Sequence, residues 1–101
     1  MTNSQRALQL LGLVRRAGKL VTGESFVLGA IRDGSAKLVL LASDTGASSQ
    51  KQFRDKAASY GVPLNEAFTK DQLSTAIGSA RTVIAITDPG FVRKLQQLLA
   101  D

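Results

Sequence analysis

LGLVRRAGKLVTGESFVLGAIRDGSAKLVLLASD, residues Leu11 to Asp44, sets a helix end, a basic turn, a glycine-opened helix and a short apolar run in close succession. From Leu38 to Ala42 every residue is apolar. A run this short with polar residues around it is expected to be a central strand covered on both faces. Upstream, Val27, Ala30 and Ile31 give a helix its inner stripe before Gly34 stops it. Leu20-Val21-Thr22 fits a short strand. Earlier still, Ala7, Leu10, Leu11 and Val14 follow the i, i+3, i+4, i+7 spacing of an amphipathic helix that should end by Gly18.

Downstream, Ser43-Asp44-Thr45-Gly46 is turn chemistry and Ser48-Ser49 reads as a cap. Phe53, Ala57 and Tyr60 then line one face of a third helix ended by Gly61. Val62-Pro63-Leu64 fits an edge strand, because proline cannot donate to a ladder. Thr69 and Gln72 make a capping box, with Phe68 and Leu73 in the staple positions around it, so a fourth helix starts here and Gly78 closes it. Thr82 to Ile86 is a second buried strand. Asp88-Pro89 opens a last helix through Leu95, Leu98 and Leu99. Five helices alternating with four strands predict an α/β fold: a three-layer αβα sandwich with a mixed, mostly parallel sheet and helices on both faces. No linker, repeat or low-complexity segment divides residues 1–101, so one domain is expected.

Composition narrows the chemistry. At 101 residues and 44% hydrophobic, the chain has enough apolar material for one core without staples. It has no Cys and no His, which removes the usual soft and imidazole metal sites, thiol chemistry and the commonest general base. No metal or cofactor is expected. No apolar run nears the roughly 20 residues of a membrane span, and the polar start lacks a signal-peptide core. A soluble, cytoplasmic, monomeric protein is the expectation.

The net charge of +5 favours polyanionic partners. Between Arg6 and Lys37 the cations are Arg6, Arg15, Arg16, Lys19, Arg32 and Lys37, against only Glu24 and Asp33 as acids. Arg15, Arg16 and Lys19 lead into Thr22-Gly23 and a positive helix end, an arrangement that suits phosphate oxygens. The bland alternative is a solvated helix end with Thr22 as an ordinary N-cap. That leaves Gly23 unexplained, since glycine in a first turn costs about 1 kcal/mol relative to alanine. The stretch from Gly12 to Lys19 is no phosphate loop: the glycine spacing is wrong and Leu20 stands where Ser or Thr is required. Asp44, Asp71 and Asp88 sit at turns or helix starts and read as caps. Ser48 and Ser49 have no activating base. Ser79-Ala80-Arg81 forms a small-residue loop after the fourth helix, with Arg81 available to a phosphate.

Taken in order, LVTGESFVLGAIRDG (Leu20–Gly34), AKLVLLASD, YGVP, and QLSTAIG leading to TVIAITDPGF resemble the ribosomal-protein superfamily of kink-turn RNA binders, the L-seven-Ae and L-thirty-e group. The likeness spans nearly the whole chain and is closest to a small bacterial branch. It implies an αβα sandwich that grips sharply bent RNA through the turn before the second helix and the loop after the fourth, without catalysis. In the family that turn reads Gly-x-Asn-Glu with a lysine at the place of Gly29. Here Gly23 matches, while Ser25, Phe26 and Gly29 replace the Asn, Glu and Lys. Ser74 replaces a frequent glycine, and the Gly78 to Thr82 loop is one residue shorter.

The expected function is non-catalytic binding of structured RNA, with ribosomal RNA as a candidate, in association with the ribosome or another ribonucleoprotein and with ribosomal or translation proteins. The expected contacts are Thr22, Gly23, Glu24, Ser25, Phe26 and Gly29 with Ser79, Ala80 and Arg81, and Arg15, Arg16, Lys19 and Arg32 for phosphates and steering. Two alternatives compete. One is a protein-interaction module of the same fold that has lost specific RNA binding, which an exposed Phe26 would favour. The other is a small phosphate-ligand site with an unrecognised transferase activity.

Overall fold

The computed structural model describes residues 1–100. Its elements run α1 (Asn3–Arg16), β1 (Leu20–Thr22), α2 (Glu24–Arg32), β2 (Leu38–Leu41), α3 (Ala47–Ser59), β3 (Leu64–Asn65), α4 (Lys70–Ile77), β4 (Val83–Ile86) and α5 (Pro89–Leu99). The strands form one sheet in the order β1-β4-β2-β3. Successive strand residues point to opposite faces, and β2 and β4 are apolar on both. Leu38, Leu40, Ile84 and Ile86 meet Leu11 and Val14 of α1, Leu73 and Ile77 of α4, and Leu95 of α5. Val39, Leu41, Val83 and Ala85 meet Val27 and Ile31 of α2 and Phe53 of α3. Helices therefore cover both faces, as the αβα reading requires.

The sheet is mixed, but parallel pairing is its smaller part. β4 pairs antiparallel with both β1 and β2, and only β2 and β3 run parallel. Strands buried on both faces read as continuous apolar runs in either direction, so LVLL and VIAI could not disclose this. Because β4 runs opposite to both neighbours, β1 and β2 point the same way. Their C-terminal ends flank the start of β4.

Two local expectations need correction. α3 opens at Ala47 with Gly46 as its N-cap and no side-chain cap, so Ser48 and Ser49 lie inside the helix instead of capping it. Tyr60 is the C-cap of α3 and 51% exposed, and only Phe53 and Ala57 are buried on the inner face of that helix. α5 runs through Leu95, Leu98 and Leu99 as expected, with Leu95 buried and Leu98 and Leu99 packed, partly covered, against the core. Elsewhere the local chemistry holds. The Thr69–Gln72 capping box is present, Phe68 and Leu73 are buried beside it, and the Asp88 side chain accepts from the Phe91 N–H. β3 lies at the sheet edge just after Pro63, whose carbonyl accepts from the Val39 N–H at 2.9 Å.

Candidate nucleic-acid interface

α2 begins where β1 ends, and Gly23 is the hinge. It is the N-cap of α2, with φ 93° and ψ 147°, a conformation that side-chain-bearing residues rarely adopt. Its N–H donates to the Val83 carbonyl at 3.3 Å, and its carbonyl takes the Val27 N–H at 2.9 Å. Backbone geometry thus explains this glycine. The cap assigned to Thr22 is corrected with it: no side chain caps α2, and the Thr22 hydroxyl instead accepts from Arg81 Nε at 3.3 Å. The Gly23 N–H is taken by the sheet, whereas those of Glu24, Ser25 and Phe26 stand at the positive end of the helix without a capping side chain.

A second uncapped N-terminus lies alongside. The Ser49 hydroxyl in α3 donates to Glu24 Oε1 at 3.1 Å, tying the first turns of α2 and α3 together. The other three helices have side-chain caps, from Thr2, Thr69 and Asp88. The two bare ends therefore sit together at the C-terminal ends of β1 and β2. The Glu24 carboxylate is already engaged, which leaves its backbone N–H as the donor it can present to an anion.

The loop after α4 closes the site from the side of β4. Gly78 ends α4 in the left-handed region at φ 75°. Ser74, one turn earlier, holds the backbone of Arg81 at two points: its hydroxyl accepts from the Arg81 N–H at 3.1 Å and donates to the Arg81 carbonyl at 3.3 Å. Arg81 then turns its guanidinium onto its own loop, at the Ala80 carbonyl, and across to Thr22. The loop of Ser79, Ala80 and Arg81 and the turn at Thr22 and Gly23 are in contact. Arg15 braces the same loop from behind by donating to the Ile77 carbonyl at the C-terminus of α4, where a cation offsets unpaired carbonyls.

Not every cation gathers here. Lys19 precedes β1, with its carbonyl bonded to Thr87, and three residues of strand put it about 10 Å from Thr22. Arg32 lies in the last turn of α2, about 12 Å along the axis from Glu24. Arg16 lines the groove between α1 and α4. These three are peripheral. Phe26, in contrast, stands within the site and is 74% exposed, with its ring over the Gly23 cap, 3.9 Å from where a Cβ would be. Gly29 is one turn further on, and a Cβ built there would meet nothing within 4 Å.

Two participants are not legible as such in the sequence. Ser74 stands out there only as a replacement for glycine, yet it sets the backbone of Arg81. Gly46 carries the marks of a turn, yet it opens a second bare helix end. The available signal was that Gly46, like Gly23, stands where a capping side chain would.

Residues 5–96 match the family described as "Ribosomal protein L7Ae/L30e/S12e/Gadd45 family". Two curated relatives are similar over most of their length. The RNA-binding protein YlxQ of Enterococcus faecium is 40% identical over 97 residues, covering 96% of this chain and 94% of that protein. The RNA-binding protein YlxQ of Bacillus subtilis (strain 168) is 45% identical over 91 residues, covering 89% and 91% respectively. A Bacillus halodurans protein of unknown function has a solved structure that superposes with a TM-score of 0.90 at 42% identity, over 94% of this chain and 97% of that one.

Proposed function

Since this chain belongs to the ribosomal protein L7Ae/L30e/S12e/Gadd45 family, we propose that it is a non-catalytic, cytoplasmic binder of structured, kink-turn-like RNA that acts as a monomer alongside the ribosome. The observation that carries this reading is the Arg81–Thr22 hydrogen bond. It joins the loop after α4 to the bare N-terminus of α2, so one surface offers a guanidinium beside free N–H groups. Phosphate oxygens meet both kinds of donor there, and Arg15 and Ser74 hold the loop before RNA arrives.

The departures at Ser25, Phe26 and Gly29 set the manner of recognition. With no Asn, Glu or Lys to read base edges, fixed backbone donors and Arg81 recognise the shape of a bent RNA. That mode suits a fold whose base edges lie hidden in a deep groove unless a kink opens them. Arg16, Lys19 and Arg32 contribute long-range attraction, which salt weakens.

The exposure of Phe26 favours a second reading, in which the same surface docks a protein and RNA binding is lost. Gel shift at two salt concentrations, with a kink-turn RNA and a straight duplex of equal length, separates the two. Tighter binding to the kinked RNA that survives the higher salt is expected. Equal binding to both that vanishes with salt would leave only a nonspecific basic surface and make the protein-docking reading the better one.

A further inference from the structure

Among the described residues, Phe26 is the most exposed of the four large apolar side chains that the fold leaves uncovered, the others being Met1, Leu13 and Tyr60. Those three lie elsewhere. Met1 and Leu13 belong to the α1 side of the sheet, and Tyr60 ends α3, about 20 Å along that helix from its first turn. A protein interface is built around a contiguous apolar centre of several side chains. None of those three adjoins Phe26, and along its own turn of α2 the flanking residues are Gly23, Glu24, Ser25 and Gly29, with the Glu24 carboxylate tied to Ser49. The ring stands apart from the other exposed large apolar side chains.

The helix on either side of that ring is bare. Gly23 lies one turn before it and Gly29 one turn after. Gly23 is required by its backbone conformation, but Gly29 is not: it sits inside α2, outside the left-handed region, with open space where a Cβ would point. Helix-interior glycine is unfavourable, and packing within the protein gives no reason for it here. The result is a ring with a flat, open shelf beside it, next to donors suited to phosphates.

From this arrangement we propose that Phe26 is a stacking platform for a single unpaired base of the bound RNA, with Gly29 leaving room for the base plane. The inference rests on the RNA-binding reading above and adds a subsite to it. A planar base needs one ring face and no contiguous patch. Its phosphates would lie toward Arg81 and the N–H groups of Ser25 and Phe26, so the charge of the surroundings matches a nucleotide better than an apolar peptide.

The test is a binding cycle. The full chain and its Phe26→Ala and Phe26→Trp variants are titrated against a kink-turn RNA, and against copies in which each unpaired nucleotide in turn is made abasic. With the intact RNA, Phe26→Ala is expected to bind about tenfold more weakly, as loss of one base–aromatic stack implies, and Phe26→Trp is expected to restore binding. With one of the abasic RNAs, the alanine penalty should disappear, because the partner of the ring is already gone. If Phe26→Ala binds as tightly as the parent, or its penalty is the same on every abasic RNA, the stacking proposal falls while RNA binding stands. If the parent protein shows no preference for the kinked RNA over a straight duplex, both fall, and a protein partner for Phe26 takes their place.

Discussion

The first turns of α2 and α4 both lean on the central strands, and they are built in opposite ways. At α4, the Thr69 hydroxyl accepts from the Gln72 N–H at 3.2 Å and the Gln72 side chain accepts from the Thr69 N–H at 2.9 Å. The Asp44 carboxylate takes the Lys70 N–H, and Phe68 is 2% exposed. At α2, no side chain caps the turn, the N-cap is a glycine in a backbone region that other residues rarely adopt, and Phe26 faces solvent. A side-chain cap is worth about 1 kcal/mol and burial of a phenylalanine about 1.5–3 kcal/mol. The turn of α2 forgoes both. Free donors and an open ring are what a partner can use, so the difference separates a turn that holds the fold from one left open to a ligand.

The widest break in this comparison comes from deleting the same side chain on each side of it. Phe68→Ala should lower stability by about 3–5 kcal/mol, since it empties a site between α4 and the sheet. Phe26→Ala should change stability by no more than about 0.5 kcal/mol, as for an ordinary surface position. Urea denaturation of both variants measures the contrast. Similar losses in the two would mean that Phe26 packs against the fold and would remove it from the binding surface.

A smaller effect is expected at the hinge. Gly23→Ala forces a side chain into a backbone region that is nearly closed to it, and should cost about 1–3 kcal/mol without any RNA present. The same denaturation series checks this. Loss of RNA affinity without loss of stability would instead mean that Gly23 is there for close approach of the ligand, and that the conformation of the turn is not what selects glycine.

Much of this contrast could be read from the chain, and the boundary is instructive. The capping box at Thr69 and Gln72, the staple residues Phe68 and Leu73, and the Asp88-Pro89 start are local chemistry, fixed by neighbours within a turn. They stand in the structure as the sequence predicts. Strand direction did not follow, because LVLL and VIAI carry no sign of whether β4 runs with or against β2. Nor did the partners of Thr22 and Arg15. Thr22 reads as a cap within its own turn, and only the return of β4 beside β1 brings Arg81, 59 residues away, to its hydroxyl. Arg15 reads as a free cation, and only the packing of α1 on α4 delivers it to the Ile77 carbonyl. The family resemblance points to two loops, the turn at Gly23 and the loop after α4. That they touch is a property of the sheet order.

The smallest effect tests the shelf beside Phe26, and here stability and binding should move in opposite directions. Gly29→Ala adds a methyl group to open space on a helix and should stabilise the fold by about 0.5–1 kcal/mol, the ordinary gain of replacing an interior helix glycine. If a base plane slides over this position, the same methyl group stands in its way and binding to a kink-turn RNA should weaken. Denaturation and gel shift on one variant read the two quantities together. A gain in stability with unchanged affinity would show that the bare surface at Gly29 is not used. Each bare feature of α2 would then have to be judged singly, with the exposed ring of Phe26 and the free N–H groups as the remaining marks of a binding turn.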